Sequence, residues 1–156
     1  MSAPIRDFTG RYQFLSNFFA CAIAYEGVEY RSVEHAFQAA KSSDPQQRVF
    51  IASGTCAEAK KRGRATKLVE GWNSKRIDIM TQLVRHKFER HSNLRNALLL
   101  TGDAELVEGN WWRDRFWGVY QGKGENHLGR ILMMFYWHSE EFEDQYGKQD
   151  MPELED

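Results

Sequence analysis

Two carboxylates stand in contexts that could hold a catalytic acid or base rigidly. Glu34 follows Ser32, whose hydroxyl is a good N-cap for a predicted helix. Asp114 lies in an aromatic segment beside Phe116 and Trp117. A carboxylate held in this way could act as a base or stabilise a developing charge. Taken alone, Glu34 is more typical of an exposed glutamate that stabilises the helix dipole.

A group of cations could bind a phosphate. Five of them surround Gly63 in residues 60–67, and arginine forks bind phosphate in a bidentate manner. We take Arg62, Arg64 and, from the preceding helix, Lys41 as candidate phosphate ligands. A nucleic-acid contact or a solvated helix end would explain the same charges.

Further polar and aromatic residues are candidates for substrate binding. Gly124 and Asn126 belong to a glycine-flanked segment that leads into the last helix, an arrangement that often binds anions. Trp117 could stack on a flat base, although core packing must claim some of these aromatics. Asn17 lies between large apolar residues, where its type favours a turn capped by its own side chain.

The sequence predicts chemistry without a metal or a cofactor. The five histidines show no metal-ligand spacing, and no serine or cysteine nucleophile motif is present. Cys21 and Cys56 are expected to be small buried side chains. No basic start precedes an apolar stretch, and no run is long enough to cross a bilayer, so we expect a cytoplasmic protein. We expect no membrane association and no obligate protein partner.

Length and charge suggest one domain with an acidic tail. The chain has 156 residues, which suits a single domain over residues 1–138. Those residues hold 20 of the 21 Lys and Arg but 14 of the 22 acids, a net charge of +6. Residues 139–156 hold the other eight acids and one lysine, and are expected to form a flexible, solvated tail.

Apolar periodicity predicts a helix-rich α+β fold with a few short strands. After a hairpin over 21–25 and 28–30, a helix from Ser32 should bury Val33, Ala36, Phe37 and Ala40, with Glu34, Gln38 and Lys41 on the opposite face. A long helix should bury a stripe beginning at Ile77. The remaining expectations are a helix start at 44–45, a capped helix over 55–61 ended by Gly63, the long helix over 73–89, a helix around 94–98, a strand over 106–108, an ordered loop over 111–124 and a last helix over 126–138.

An ordered set of segments resembles the NADAR family, also called YbiA-like. The similarity runs from about Tyr12 to Met133. Two local features differ from the family pattern. Phe135-Tyr136 stand where relatives commonly have an arginine, and Trp111-Trp112-Arg113 make a bulkier approach to Asp114. The segments that carry the resemblance are YQFLSNF (12–18), YRSVEHAFQAAK (30–41), RGR (62–64), Trp72, KFERHSNLRNALLLTGDAELVEG (87–109), DRFWG (114–118) and GKGENHLGRILM (122–133).

The resemblance implies an N-glycosidase that acts without a metal. It suggests two substrates: ADP-ribosylated guanine in nucleic acid, or early riboflavin-pathway pyrimidine ribosylamine 5'-phosphates. Both carry a ribose C1'–N bond, a flat base and a phosphate. By resemblance, the functional positions fall on Glu34, Trp72 and Asp114, with Trp72 expected to stack on the base.

Two other classes of protein fit part of the pattern. A module that binds ADP-ribose or a nucleotide without cutting it would use the same aromatics and cations. A nucleic-acid-binding protein would use the basic body, although the acidic tail opposes this and no recognised motif is present. Turnover distinguishes the enzyme from both.

Overall fold

The computed structural model describes residues 2–137, which divide into two compact units. The central unit is Asn17–Arg90, and the terminal unit combines residues 2–16 with residues 91–137. Helices dominate both units, which confirms the helix-rich α+β prediction. The tail predicted over residues 139–156 lies outside the described part of the chain.

The central unit begins with the predicted hairpin and continues with four helices. Glu26 and Gly27 have φ values of 47° and 79°, the left-handed conformation that a tight two-residue hairpin turn requires. Strands β1 and β2 pair in an antiparallel manner, with Ile23 opposite Tyr30. The elements are β1 (Ile23–Tyr25), β2 (Val28–Tyr30), α1 (Val33–Ala40), α2 (Pro45–Ala52), α3 (Cys56–Ala65) and α4 (Trp72–Arg90).

Helix α1 lies in the core of the central unit. Ser32 caps it as predicted, and α1 packs against α2, α3 and α4, so all eight of its residues are buried. The expected polar face is therefore not a solvent face, and the interpretation of Glu34 as an exposed glutamate is wrong. Neighbouring helices on several sides bury a residue whatever its position on the helical wheel.

Helix α3 confirms one prediction and corrects another. Thr55 and Glu58 form the predicted capping box. Gly63, however, does not end the helix, which continues to Ala65. Gly63 is buried within the helix because the neighbouring α1 approaches it closely.

Helix α4 differs from its predicted stripe at one end. Met80, Val84 and Phe88 are buried as expected, but Ile77 is exposed. Lys87 is also buried, with 1% of its surface accessible, although lysine is rarely fully buried. The buried face of α4 is thus rotated away from Ile77 and takes in a lysine.

The terminal unit contains a 3-10 helix over Gly10–Leu15, two helices and a small parallel sheet. Ile5 forms a parallel bridge with Leu106, so the strand predicted over 106–108 is a single bridge. The regular strand follows it, and it pairs with a second strand inside the segment predicted as a loop. The elements are α5 (Ser92–Leu100), β3 (Gly109–Asn110), β4 (Val119–Tyr120) and α6 (His127–Trp137).

No helix within residues 2–137 is long and apolar enough to span a membrane.

Candidate active site

Glu34 is a buried carboxylate held at both its backbone and its side chain. The residue is 7% exposed, and its backbone N–H donates to the carbonyl of Asn17 at 3.0 Å. Gln38, one turn later on α1, donates from Nε2 to Glu34 Oε1 at 2.9 Å. A carboxylate fixed in this way has the rigidity that a catalytic group needs.

A second network fixes the start of α1. The Ser32 hydroxyl accepts from the backbone N–H of His35 at 3.1 Å and lies 2.6 Å from His35 Nδ1. On the other side of the ring, Nε2 lies 2.8 Å from the carbonyl oxygen of Gly54. A neutral imidazole satisfies both contacts, and burial lowers the pKa of His35. His35 is therefore a satisfied structural residue.

Lys41 connects Glu34 to a group of cations. Burial lowers the pKa of the Lys41 ammonium, and the Glu34 carboxylate acts in the opposite direction. Arg64 lowers that pKa further, and Lys60 and Arg76 act in the same sense. Two predicted phosphate ligands, Lys41 and Arg64, thus lie in one electrostatic neighbourhood with Glu34.

Arg62 has a different environment from Arg64. Its guanidinium donates to the Phe50 carbonyl at 2.9 Å and to Ser53 Oγ at 3.0 Å, at the end of α2. It also pairs with Glu58 at 3.4 Å, one turn earlier on α3. These contacts occupy Arg62 in joining α3 to α2, so Arg64 is the better placed phosphate candidate of the two.

Trp72 and Asn17 are both buried in the central unit. Trp72 is 6% exposed and packs against Phe37, with ring centroids 5.2 Å apart. The Asn17 side chain donates to Met80 Sδ at 3.4 Å, so the expected cap on its own backbone is wrong. Substrate contact by Asn17 and base stacking by Trp72 stay predictions.

Asp114 organises its own loop in the terminal unit. Its Oδ1 accepts from the backbone N–H groups of Phe116 and Trp117, at 3.0 and 2.9 Å. The Asn110 side chain accepts from the Asp114 N–H at 3.0 Å and donates to its carbonyl at 2.8 Å. Both of these hydrogen bonds end on Oδ1 of the carboxylate.

The other candidates in the terminal unit have structural contacts. Asn126 accepts from the backbone N–H of Glu108 at 3.0 Å and donates to the Leu106 carbonyl at 2.9 Å, so its side chain supports the 106–108 segment. A methyl group at Gly124 would overlap the Gly118 carbonyl, which explains the glycine. Trp117 is half-buried with its ring edge-on to Phe116, at a centroid distance of 4.9 Å. A ligand role for these three residues stays a prediction.

Two tryptophans on the same loop are exposed. Trp111 is 82% accessible and meets Trp112 edge to face, with centroids 5.7 Å apart. Arg113 beside them is exposed and has a φ of 67°, a conformation that non-glycine residues seldom adopt. This surface combines stacking area with positive charge.

The sequence offered only part of this arrangement. The spacing of Glu34 and Gln38 placed them one turn apart but gave no reason to assign Gln38 a role. Asn110 carried no motif, because its clamp on Asp114 depends on the path of an irregular loop. The close packing of α1 against α3 had one signal in the sequence, which is Gly63 within the otherwise helical α3 segment.

Comparisons with known proteins agree with this architecture. Residues 6–135 match the NADAR domain. The chain is 39% identical over 126 residues to the N-glycosidase YbiA of Escherichia coli, covering 78% of each protein. It is 38% identical over 125 residues to a riboflavin biosynthesis protein of Vibrio vulnificus, covering 78% of this chain but 34% of that protein. The NMR structure of E. coli YbiA matches with a TM-score of 0.78 and 32% identity, covering 98% of this chain and 94% of that one.

A helix-rich α+β fold, a buried carboxylate and matches over most of the chain together define its class. The chain belongs to the NADAR family. Within that family it is an N-glycosidase, a hydrolase that acts on N-glycosyl bonds, as its relatives of that name indicate.

Proposed function

We propose that this N-glycosidase hydrolyses the ribose C1'–N bond of a phosphorylated ribosyl-base. The observation that carries the proposal is Glu34, a buried carboxylate held by Gln38 in the same electrostatic neighbourhood as Lys41 and Arg64. The carboxylate suits a cation that develops at C1', and the cations suit a phosphate on the same substrate.

The reaction requires two proton movements around one bond cleavage. The C1'–N bond breaks with its electron pair going to the nitrogen of the base, which takes up one proton. A water oxygen adds to C1', and that water gives up one proton. In this proposal Glu34 supplies part of these functions and stabilises charge at C1', and no cofactor takes part. A catalytic role for Asp114 is carried over from the family resemblance.

Two substrate classes have separate support. The Vibrio vulnificus relative is named a riboflavin biosynthesis protein, which favours a pyrimidine ribosylamine 5'-phosphate that would release ribose 5-phosphate. The exposed Trp111 and Arg113 favour ADP-ribosylated guanine in nucleic acid, because unpaired bases stack on exposed aromatic side chains beside cations. The cytoplasm, where phosphorylated intermediates and nucleic acid both occur, is the proposed place of action.

A parallel turnover assay tests the proposal. The protein is incubated with guanine-ADP-ribosylated DNA and, separately, with the pyrimidine ribosylamine 5'-phosphate, and products are followed by mass spectrometry. Release of ADP-ribose or of ribose 5-phosphate identifies the substrate, and the Glu34→Gln variant should lose about 100- to 10,000-fold in turnover. Binding of ADP-ribose without any product would instead indicate a non-catalytic binding module.

A further inference from the structure

The amide of Gln38 has an unusual environment that the proposed reaction does not explain. The side chain is 4% exposed, and its Nε2 is used on Glu34. Its Oε1 is buried and has no hydrogen-bond partner among residues 2–137. Leaving a buried carbonyl oxygen unsatisfied is unfavourable, so the orientation of this amide requires a reason.

The carboxylate of Glu34 supplies that reason. If the amide were turned over, Gln38 Oε1 would face Glu34 Oε1 across the same 2.9 Å, and two acceptors would repel each other unless the carboxyl carried a proton. In the observed orientation an N–H group donates to the carboxylate, and such a bond favours the ionised form. The orientation of the amide therefore suits an ionised Glu34, although it leaves Gln38 Oε1 without a hydrogen-bond partner among residues 2–137.

Helix α3 is shaped to accept this amide. A methyl group at Gly63 would overlap Gln38 Oε1 and would lie 2.9 Å from Gln38 Cδ and 3.2 Å from its Cβ. Glycine is less favourable than alanine inside a helix, yet α3 continues through this position. Gly63 thus gives the Gln38 side chain the room in which it reaches Glu34.

The charges around Glu34 come from several elements. On α1, Lys41 interacts with the carboxylate. On α3, burial raises the pKa of the Cys56 thiol, and the Glu34 charge raises it further. In addition to burial, Arg64 and Lys60 of α3 and Arg76 of α4 lower the pKa of Lys41. The Lys41 ammonium favours an ionised Glu34, while burial opposes it, so a direct N–H donor on the carboxylate adds to the side of the charged form.

We propose that Gln38 is a positioning residue that keeps Glu34 ionised and correctly oriented. Glu34 is then the carboxylate that stabilises the cation at C1' and orients the water, and another group protonates the leaving base. This inference rests on the proposed function, because it assigns a role within that reaction.

The pH dependence of turnover separates this role from a merely structural one. The substrate is whichever of the two preceding compounds is hydrolysed, and kcat is measured from pH 5 to pH 9 for Gln38→Met. Loss of the donor should move the acidic limb of the profile to a pH about one unit higher. At pH values below the limb kcat should fall about tenfold, and at pH values above it kcat should change much less. Gly63→Ala, which displaces the same amide, should move the limb in the same direction.

Matched variants make each outcome decisive. Gln46→Met makes the same substitution at an exposed position of α2 and should leave the profile unchanged. A folded Gln38→Met protein with an unshifted limb, whether active or uniformly slowed, would overturn the positioning role. If Gln38→Met does not fold, the position of the limb in Gly63→Ala decides the matter by the same criterion. Full turnover in Glu34→Gln would instead remove the catalytic role of Glu34, and absence of product from the wild-type protein with both substrates would overturn the proposed function itself.

Discussion

At the scale of single residues, substitutions can separate the loop-anchoring role of Asp114 from its proposed catalytic role. Asp114 Oδ1 anchors the loop through the N–H groups of Phe116 and Trp117. Asparagine keeps an oxygen that accepts from both N–H groups but removes the charge. We expect Asp114→Asn to lower kcat about 100-fold or more with little change in melting temperature or KM.

The comparison with alanine completes this experiment. Asp114→Ala removes both the charge and the anchor, so it should lose turnover and also about 1–2 kcal/mol of unfolding free energy. If Asp114→Asn retained near-wild-type turnover and only Asp114→Ala were impaired, Asp114 would be a loop anchor without a catalytic role.

The two arginines of α3 form a natural matched pair. Arg64 adds to the burial that lowers the pKa of Lys41, a residue that interacts with Glu34. The Arg62 guanidinium is instead bonded to Phe50, Ser53 and Glu58. We expect Arg64→Ala to raise KM for a phosphorylated substrate and to leave an unphosphorylated analogue almost unaffected. Arg62→Ala should lower stability but change KM for neither compound. Steady-state kinetics with both compounds test this, and an equal effect of Arg64→Ala on the two would remove its phosphate role.

Lys87 gives the stability of the protein a specific pH dependence. Burial lowers the pKa of this lysine to about 8, below its model-peptide value of 10.5. Between those values the unfolded chain binds the proton and the folded chain does not, so this group makes stability rise with pH from about 8 to about 10.5. Below pH 8 the folded protein contains the buried charge, which is unfavourable.

Replacing that lysine should therefore stabilise the neutral protein. We expect Lys87→Met to raise the unfolding free energy by about 1–3 kcal/mol at pH 7, with the gain disappearing towards pH 10. Burial raises the pKa of Cys21, which acts in the opposite direction above pH 9, and Lys87 partly offsets that rise. The difference between variant and wild type in urea unfolding is therefore most informative from pH 7 to pH 9, where the Cys21 thiol is mainly protonated. A gain that did not depend on pH would contradict this electrostatic origin.

At the scale of elements, the caps of α1 and α3 can be compared directly. Ser32 caps the helix that carries Glu34 and also contacts buried His35, whereas Thr55 caps α3 at an exposed end. We expect Ser32→Ala to cost about 2 kcal/mol of stability and Thr55→Ala about 1 kcal/mol. Only Ser32→Ala should also reduce turnover, measured well below both melting temperatures. An equal loss of turnover in Thr55→Ala would show that general stability, and not the start of α1, controls activity.

The same two helices show what a sequence can and cannot predict. Both N-caps were predictable, because a side-chain oxygen that bonds to a backbone N–H within three residues is a local event. The burial of Glu34 was not predictable, because it depends on α2, α3 and α4 packing around α1. For the same reason Gly63 suggested a helix end, although close approach of Gln38 from another helix explains it.

The site shows a similar division. The carboxylates and the cations near Lys41 were visible as residue types and as a family resemblance. Their partners were not, since Asn110 reaches Asp114 through an irregular loop and Arg62 is directed to α2 by tertiary contacts. Motifs identified which residues could react, whereas packing determines which of them already have hydrogen-bond or ion-pair partners.

At the scale of the whole molecule, charge is divided between the matched domain and the end of the chain. The NADAR match covers residues 6–135, and residues 139–156 hold eight of the 22 acids with a single lysine. Removing that segment changes the net charge from -1 to +6. A protein of net positive charge attracts polyanions without regard to sequence, and such attraction weakens steeply as salt displaces it.

Truncation after residue 138 should therefore change polyanion binding without changing the chemistry. We expect the truncated protein to bind an unmodified single-stranded DNA oligonucleotide at least about tenfold more tightly at 50 mM salt, with log affinity falling linearly against log salt concentration. If the pyrimidine ribosylamine 5'-phosphate is the substrate, its turnover should stay at the full-length value. A small substrate contacts only the site, so the net charge of the whole surface has little effect on it. The oligonucleotide is measured by fluorescence anisotropy across a salt series, with the full chain as control. Equal affinity of the two proteins at low salt would show that the acidic segment does not counteract the basic body, and a loss of small-substrate turnover would show that it contributes to the site.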